Sequence, residues 1–327
     1  MEAPCRSDHG WGCFMAYDLE NKLVVGVSSR TLFDLTRENK IFEEEGMEAY
    51  SRYQVAHEDE LLRPGPGFPL VRALLNLNEL PGREGSVEVI IMSRNSPDTS
   101  LRVFKAIEHY GLRITRAVLA GGSSLAPYLS AFKTDLFLSA CEDDVQRAID
   151  SNIAAGIICT EGITTYDCEH QIRQIRIAFD GDAVLFSDES ERIFQEQGLE
   201  AFEENERRNA DNPLQAGPFA KFLKTLSNLQ KDYPGEETPI RTALVTTRCA
   251  PTHERVIRTL RAWDVRIDEV FFLGGIRKRD VLQAFGAHIF FDDQPAHTLP
   301  ASEVVPAARV PYRNRECAEE IEEKDSS

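Results

Sequence analysis

IRIAFDGDAVLFSD, residues 175–188, is the stretch that decides the fold. Residues of strand-forming character, ending in Phe179, run into Asp180-Gly181-Asp182, and a second apolar patch follows at 183–186. Two carboxylates at the end of an apolar strand are costly to bury, and such groups are usually kept because they bind a cation or take part in chemistry. We therefore expect Asp180 and Asp182 to mark a functional site.

The composition is that of an ordinary soluble protein with room for two domains. The chain has 327 residues, of which 42% are hydrophobic and 28% charged, and no apolar run approaches the length that spans a bilayer. A formal net charge of -17 argues against a nucleic-acid polymer or an anionic membrane as partner, because both need a basic surface. A small anionic substrate remains compatible, since one divalent cation and one or two lysines can invert the local field.

The N-terminus and the cysteines both favour a cytoplasmic location. The first residues, MEAPCRSDHGWGC, lack the basic region followed by an apolar one that is typical of a secretory signal. The seven cysteines are scattered and form no C-x-x-C pair, so we expect neither a disulfide framework nor a structural zinc site.

The chain contains an internal repeat. IFEEEGMEAY at 41–50 returns as IFQEQGLEAF at 193–202, and the Gly-Pro pair at 65–66 returns at 217–218, both with a shift of 152 residues. IIMSRNSP at 90–97 matches LVTTRCAP at 244–251, and YGLRITRAVLAGG at 110–122 matches WDVRIDEVFFLGG at 263–275. Short apolar runs alternate with amphipathic helices throughout, which is typical of a parallel α/β sheet. We predict an α/β fold of two tandem Rossmann-like units with parallel sheets.

The repeat also predicts the domain boundaries. We expect a degenerate unit at 20–158, a polar linker at 159–174, a second unit at 175–312 and an acidic, disordered tail at 313–327. Each unit places a long helical insertion after its first strand, and in the second unit this insertion, at 189–230, is predicted to form a helical cap. The predicted strands include 23–27, 87–92 and 136–138, and their counterparts 175–179, 242–246 and 289–291.

Six positions carry a charge or a hydroxyl in the second unit that is absent or changed in the first. The aligned pairs are Ser28/Asp180, Arg30/Asp182, Met92/Thr246, Leu125/Lys278, Ser139/Asp292 and Ala140/Asp293. All six fall at the carboxyl ends of predicted strands or at a helix start, the edge at which open α/β sheets bind ligands. The carboxylates of Asp180 and Asp292, with the carbonyl of Asp182, suit a hard cation such as Mg²⁺. Thr246 and Lys278 would cradle a phosphoryl group.

These residues carry a family resemblance. DGDAVLF, LVTTR, the lysine in GGIRKRD, and FFDDQ match the four motifs of the haloacid dehalogenase superfamily of phosphotransferases. More narrowly, VSSRTLF, RPGPGFP, AFDGDAVLFSDESERI, NPLQAGP and HIFFDDQ resemble the type I cytosolic 5′-nucleotidases, the AMP-preferring enzymes, over residues 23–312. The resemblance implies two haloacid-dehalogenase-type units and Mg²⁺-dependent hydrolysis of nucleoside 5′-monophosphates, AMP first, with activation by ADP.

The resemblance also implies roles for single residues. Asp180 would be the nucleophile that forms an aspartyl phosphate, and Asp182 would act first as general acid and then as general base. The metal set would be Asp180, Asp182, Asp292 and Asp293, and the phosphate-binding set would be Gly181, Thr246, Thr247 and Lys278. Two alternatives stay open: a phosphatase or phosphotransferase acting on another small phosphomonoester such as a sugar phosphate, and a nucleotide-binding regulator without catalysis.

Several residues outside these sets receive weaker assignments. Asn212 and Gln215, beside the Gly-Pro pair at 217–218, are candidate contacts to the substrate base, and Arg30 and Arg94 are candidate contacts to a nucleotide effector. Arg248, just after a strand, either touches phosphate or pairs with a carboxylate of the cap. The neighbours of Lys278, Arg277 and Arg279, could take its role. Whether the chain forms a homo-oligomer is left open by the sequence.

Overall fold

The computed structural model describes residues 17–162 and 172–313, and these form an α/β protein around one ten-stranded sheet. The middle of the predicted linker, at 163–171, and the predicted tail from 314 onward lie outside the described residues. The strands are β1 Leu23–Val27, β2 Val87–Ser93, β3 Arg116–Leu119, β4 Leu136–Ser139, β5 Ala154–Ile158, β6 Ile175–Phe179, β7 Ile240–Thr246, β8 Glu269–Phe272, β9 Ile289–Asp292 and β10 Ala307–Arg309.

Eleven α-helices of the described residues connect these strands. They are α1 Ser29–Leu32, α2 Thr36–Ala56, α3 Phe68–Asn76, α4 Leu101–His109, α5 Ala126–Ala131, α6 Glu142–Asp150, α7 Glu189–Arg208, α8 Ala220–Gln230, α9 His253–Ala262, α10 Lys278–Phe285 and α11 Pro295–Ser302. Short 3₁₀ turns lie at Leu77–Glu79 and Gly235–Glu237, and a π-helical turn lies at Gly181–Leu185. No helix of the described residues is long and apolar enough to cross a bilayer.

The sheet has the order β3-β2-β1-β4-β5-β10-β9-β6-β7-β8. From edge to centre, the first half reads β3-β2-β1-β4-β5 and the second half reads β8-β7-β6-β9-β10, which are the equivalent strands of the repeat in the same order. Every pair of neighbours is parallel except β5 and β10, which meet antiparallel with Ile158 opposite Ala308. The predicted α/β fold with a mostly parallel sheet is therefore confirmed. Strands buried on both faces need continuous apolar runs, and β1 and β2 are buried along their whole length.

The central contact between β5 and β10 was not expected from the sequence. β10 has only three residues, and its partner β5 lies about 150 positions earlier in the sequence, so no local pattern predicts the pairing. Gly156 permits it, because a Cβ at this position would lie 2.9 Å from the Cβ of Ala308.

The predicted cap region contains two helices, α7 and α8, joined by the segment 209–219. Helix α7 is interrupted at Gly198, where φ is 84°, and α2 is interrupted in the same way at Gly46, where φ is 85°. These are equivalent positions of the repeat, and the left-handed region is open to glycine without steric cost. Of the four aromatic residues of the cap, Phe202, Phe219 and Phe222 are buried, whereas Phe194 is 45% exposed.

Candidate active site

Four of the predicted site residues come together at the carboxyl ends of three adjacent strands. Asp180 directly follows β6, Thr246 ends β7 and Asp292 ends β9, and β6 lies between the other two strands. Lys278 is the first residue of α10. All four side chains are buried, so the sheet order has carried polar groups from distant parts of the sequence into one apolar setting.

Lys278 links two of the carboxylates. Its Nζ lies 2.7 Å from Oδ1 of Asp180 and 2.6 Å from Oδ2 of Asp292. The neighbouring Arg277 occupies the N-cap position of α10 without a side-chain capping hydrogen bond, and Arg279 is paired with Asp280 and Glu303. Of the three basic residues considered, Lys278 is thus the one that contacts the acidic residues of the site.

The cluster holds three carboxylates but one lysine ammonium, so negative charge is in excess. Burial raises the pKa of Asp180 well above its usual range, Asp292 and Asp293 add to this, and Lys278 opposes it. Burial also acts on Asp292, but the ammonium of Lys278 and the ring of His297 outweigh it and lower the pKa of Asp292. For Asp293, burial and the charge of Asp292 raise the pKa to about 6.

The acidic cluster has the chemistry of a cation site. Asp180, Asp292 and Asp293 each offer a carboxylate oxygen, and these oxygens lie within 4.8 Å of one another. An all-oxygen set that carries excess negative charge suits a hard divalent cation. Three of the four residues of the predicted metal set therefore lie together.

Asp182 stands apart from this cluster. Its carboxylate is held by Arg248, with Nε 2.8 Å from Oδ2 and Nη2 2.6 Å from Oδ1. Arg248 also donates to Glu206 of α7, so it pairs with a cap carboxylate, which is one of the two roles that the sequence left open for it. If Asp182 contributes to the metal site, its backbone carbonyl remains the group available for that role.

The expected phosphate-binding residues lie around Asp180. Thr246 is buried, and its Oγ1 accepts a hydrogen bond from the backbone N–H of Arg248 at 3.2 Å. Gly181 packs closely enough that a Cβ there would lie 3.5 Å from that Oγ1, so the two residues border the same space. Thr247 is exposed next to them.

Two residues that contact the acidic cluster were missed from the sequence. Nδ1 of His297 lies 3.2 Å from both carboxylate oxygens of Asp292, and the hydroxyl of Tyr312 donates to Asp293. His297 lies in the first turn of α11, five residues after Asp292. This short distance along the chain could have predicted that the two side chains are near each other. Tyr312 follows β10, and only the unforeseen position of that strand brings it to the site.

The candidate base contacts lie at the surface of the cap, in the segment that joins its two helices. Asn212 and Gln215 are both exposed and lie between α7 and α8. Nδ2 of Asn212 donates to Asn209, and the backbone carbonyl of Gln215 accepts from Ser187 at 2.9 Å. Within the described ranges, neither side chain hydrogen bonds to the acidic cluster, so their role stays a prediction.

The six aligned positions of the first half also come together. They line one cavity of about 340 Å³: Ser28, Arg30, Met92, Leu125, Ser139 and Ala140. Arg94 lines the same cavity, but its Nε lies 2.8 Å from Oδ1 of Asp144. The side chain of Arg30, by contrast, makes no hydrogen bond or ion pair of its own with another residue of the described ranges.

Comparisons with known proteins identify the family. The chain is 38% identical over 288 residues to human cytosolic 5′-nucleotidase 1B, an alignment that covers 85% of this chain and 47% of the relative, so the chain spans about half of that protein's length. One chain of the structure of the Pnkp1/Rnl/Hen1 complex aligns over 90% of this chain and 97% of its own length, with 13% identity, and its TM-score of 0.30 is too low to support an argument. The sequence profile described as 5′-nucleotidase matches residues 15–317, and this chain therefore belongs to the 5′-nucleotidase family.

Proposed function

We propose that this protein hydrolyses nucleoside 5′-monophosphates, AMP first, to nucleoside and phosphate in a Mg²⁺-dependent reaction. One observation carries the proposal: in a chain of the 5′-nucleotidase family, Asp180 is buried at a strand end against Lys278, and its carboxylate lies within 4.8 Å of those of Asp292 and Asp293. A buried carboxylate beside a cation site and a buried ammonium is the arrangement that attack on a phosphoryl group needs.

Two steps at phosphorus account for the reaction. An oxygen of Asp180 bonds to phosphorus as the bond from phosphorus to the ribose O5′ breaks, and Asp182 gives O5′ a proton. Water then attacks the aspartyl phosphate, the bond to Asp180 breaks, and Asp182 takes the proton from the water. A Mg²⁺ ion held by Asp180, Asp292 and Asp293, with the carbonyl of Asp182, would neutralise charge on the phosphoryl oxygens.

The remaining groups orient the phosphoryl group. Lys278 places a fixed positive charge beside the nucleophile, and Gly181, Thr246 and Thr247 supply backbone N–H groups and hydroxyls around it. Helices α7 and α8 would close over the site and exclude bulk water until the nucleoside departs. In this proposal Asn212 and Gln215 would reach the base after such closure.

Substitution of the nucleophile tests the reaction. Asp180→Asn keeps the size of the side chain but replaces the nucleophilic carboxylate with a neutral amide, so turnover of AMP should fall below detection while the circular dichroism spectrum is unchanged. Residual activity within tenfold of wild type would contradict the assignment of Asp180.

A substrate panel separates the proposal from its alternative, a phosphatase or phosphotransferase on another small phosphomonoester. The values of kcat/KM for AMP, IMP, dCMP and a sugar phosphate, measured side by side, should be highest for AMP. A higher value for the sugar phosphate would favour the alternative, because the residues around Asp180 do not by themselves define the leaving group.

We also propose that the first half, 20–158, is a degenerate copy of the catalytic unit, 175–312, and that its cavity receives a nucleotide effector such as ADP. The equivalent strand order of the two halves, and the convergence of the six aligned positions of the first half on one cavity, support the duplication. Arg30 is the better candidate contact, since Arg94 is already paired with Asp144. ADP activation that is unchanged in Arg30→Gln would refute this placement. The relative's name further supports a cytosolic location.

A further inference from the structure

Arg248 holds the carboxylate of Asp182 in one fixed orientation. The two contacts, at 2.8 and 2.6 Å, run from adjacent nitrogens of the guanidinium to the two carboxylate oxygens, which is the bidentate geometry that a planar guanidinium favours. Arg248 itself is 4% exposed, so solvent does little to weaken the pair. Rotation of Asp182 about its side-chain bonds would break both contacts together.

The same guanidinium is tied to the cap. Its third nitrogen donates to Glu206 of α7, a fully enclosed carboxylate that also accepts from Arg255 at 2.9 Å and from the hydroxyl of Ser190 at 2.9 Å. The ring of Phe202, one turn earlier on α7, lies 5.2 Å from the guanidinium carbon. Any movement of α7 relative to the sheet therefore acts on Arg248 and, through it, on Asp182.

The first half shows that the fold does not require this arrangement. Arg94 occupies the position equivalent to Arg248, but it pairs with Asp144 on α6. The positions equivalent to Asp182 and Glu206 are Arg30 and Gln54, and Gln54 donates to Tyr50 of its own helix. The arginine thus bridges to the cap helix only in the half that has Asp182.

We infer that Arg248 is a positioning residue that fixes the orientation of Asp182 and couples that orientation to helix α7 through Glu206. The inference rests on the proposed function, because it assigns Asp182 the proton-transfer role. A guanidinium has no acceptor and stays charged, so Arg248 neither gives nor takes the proton itself. Its contribution is to keep the proton donor within reach of O5′ in the closed state.

Substrates with different leaving groups distinguish this role from a structural one. The ribose alkoxide of AMP must be protonated as it leaves, whereas the nitrophenolate of p-nitrophenyl phosphate leaves without a proton. In Arg248→Gln we expect kcat for AMP to fall about 100-fold or more, the lower end of a general-acid contribution. KM for AMP should stay within about threefold and kcat for p-nitrophenyl phosphate within about fivefold, since general-acid effects on such a leaving group are small.

Two further variants keep the test interpretable. Arg248→Lys retains the charge but cannot make the two-nitrogen contact, so it should recover only part of the lost AMP rate. Arg102→Gln is the matched control, because Arg102 also joins a buried carboxylate of a kinked helix, Glu38 of α2, with 2.5 Å between Nη1 and Oε1, but in the first half. It should leave the ratio of the two substrate rates unchanged even if the fold becomes less stable.

The outcomes separate the inference from the proposed function. Equal losses on both substrates in Arg248→Gln, or a loss confined to KM, would overturn the positioning role while leaving the phosphatase assignment in place. A wild-type protein that hydrolyses no phosphomonoester would remove the proposed function and this inference with it.

Discussion

Replacement of Lys278 by methionine tests whether the acidic cluster is a metal site held together by one buried lysine. The ammonium has two carboxylate partners, Asp180 at 2.7 Å and Asp292 at 2.6 Å, and its side chain is 2% exposed. Methionine keeps most of the length and apolar bulk of lysine. The substitution therefore removes the charge with little change in packing.

The expected loss of stability is large. Removal of one partner from a buried ion pair costs about 3–5 kcal/mol, because the remaining charge is left uncompensated. Here the carboxylates of Asp180, Asp292 and Asp293 would all remain. Since burial already raises the pKa of Asp180, uptake of a proton by this group would limit the cost, and we expect the lower end of that range, about 3 kcal/mol.

Urea unfolding at pH 7.5 with a chelator, and again with excess Mg²⁺, measures both effects. Without the competing ammonium the carboxylates should bind the cation more tightly, so Mg²⁺ should stabilise Lys278→Met more than wild type. A ligand at about 100 times its Kd adds about 2.7 kcal/mol. Lys231→Met is the control, since its pair with Asp264 is exposed and should contribute less than about 1 kcal/mol.

In chelator, a free energy of unfolding for Lys278→Met within about 1 kcal/mol of the wild-type value would refute the buried ion pair, because that is the range of an exposed pair. Equal stabilisation of the two proteins by Mg²⁺ would also contradict the prediction, because the ammonium would then not compete with the cation for the same carboxylates.

Three other perturbations have defined outcomes. Burial and Asp292 raise the pKa of Asp293 to about 6, so the Mg²⁺ concentration for half-maximal activity should rise as the pH falls through 6. The hydrogen bond from Tyr312 lowers this pKa, so its loss in Tyr312→Phe should shift that rise to higher pH. A Mg²⁺ requirement that does not change between pH 7 and 5 would contradict this. Burial and the nearby Arg176 lower the pKa of His288 to about 4, so the unfolded chain takes up the proton first and stability is lost as the pH falls from about 6.5 to 4. His288→Asn should remove about 3 kcal/mol of that loss in urea unfolding curves, and identical pH slopes would count against it. In Gly217→Ala, the new Cβ would lie 2.5 Å from the carbonyl oxygen of Val184 and closer still to that of Phe186, so the unfolding free energy should fall by about 1–3 kcal/mol, whereas an unchanged melting temperature would show that the turn relaxes freely.

The sequence predicted the parts of the fold that have a local signal. β1 and β6 begin and end at the predicted residues, because each is a short, mostly apolar segment followed at once by a polar residue, Ser28 or Asp180. The repeat allowed each half to be checked against the other, and the kinks at Gly46 and Gly198 follow it. The pairing of β5 with β10 could not be predicted, since it depends on a contact between segments about 150 residues apart.

The candidate site also contains residues that the sequence predicted and residues that it could not predict. Asp180, Lys278, Asp292 and Asp293 were predicted together because the carboxyl ends of parallel strands meet at one edge, and the structure brings all four together. Tyr312 carried no signal, because its contact with Asp293 depends on where β10 enters the sheet.

By itself, the sequence determined which residue types stand at the strand ends, since apolar runs and turn residues are local properties of the chain. The tertiary structure decided which of those residues act on one another. Asp182 is two residues from Asp180, and the sequence places both in one metal and acid–base group, yet its carboxylate binds Arg248, which also binds the cap carboxylate Glu206. A buried guanidinium must find anionic partners, and only the packing of α7 against the π-helical turn at Gly181–Leu185 and against α9 decides which anions are within reach.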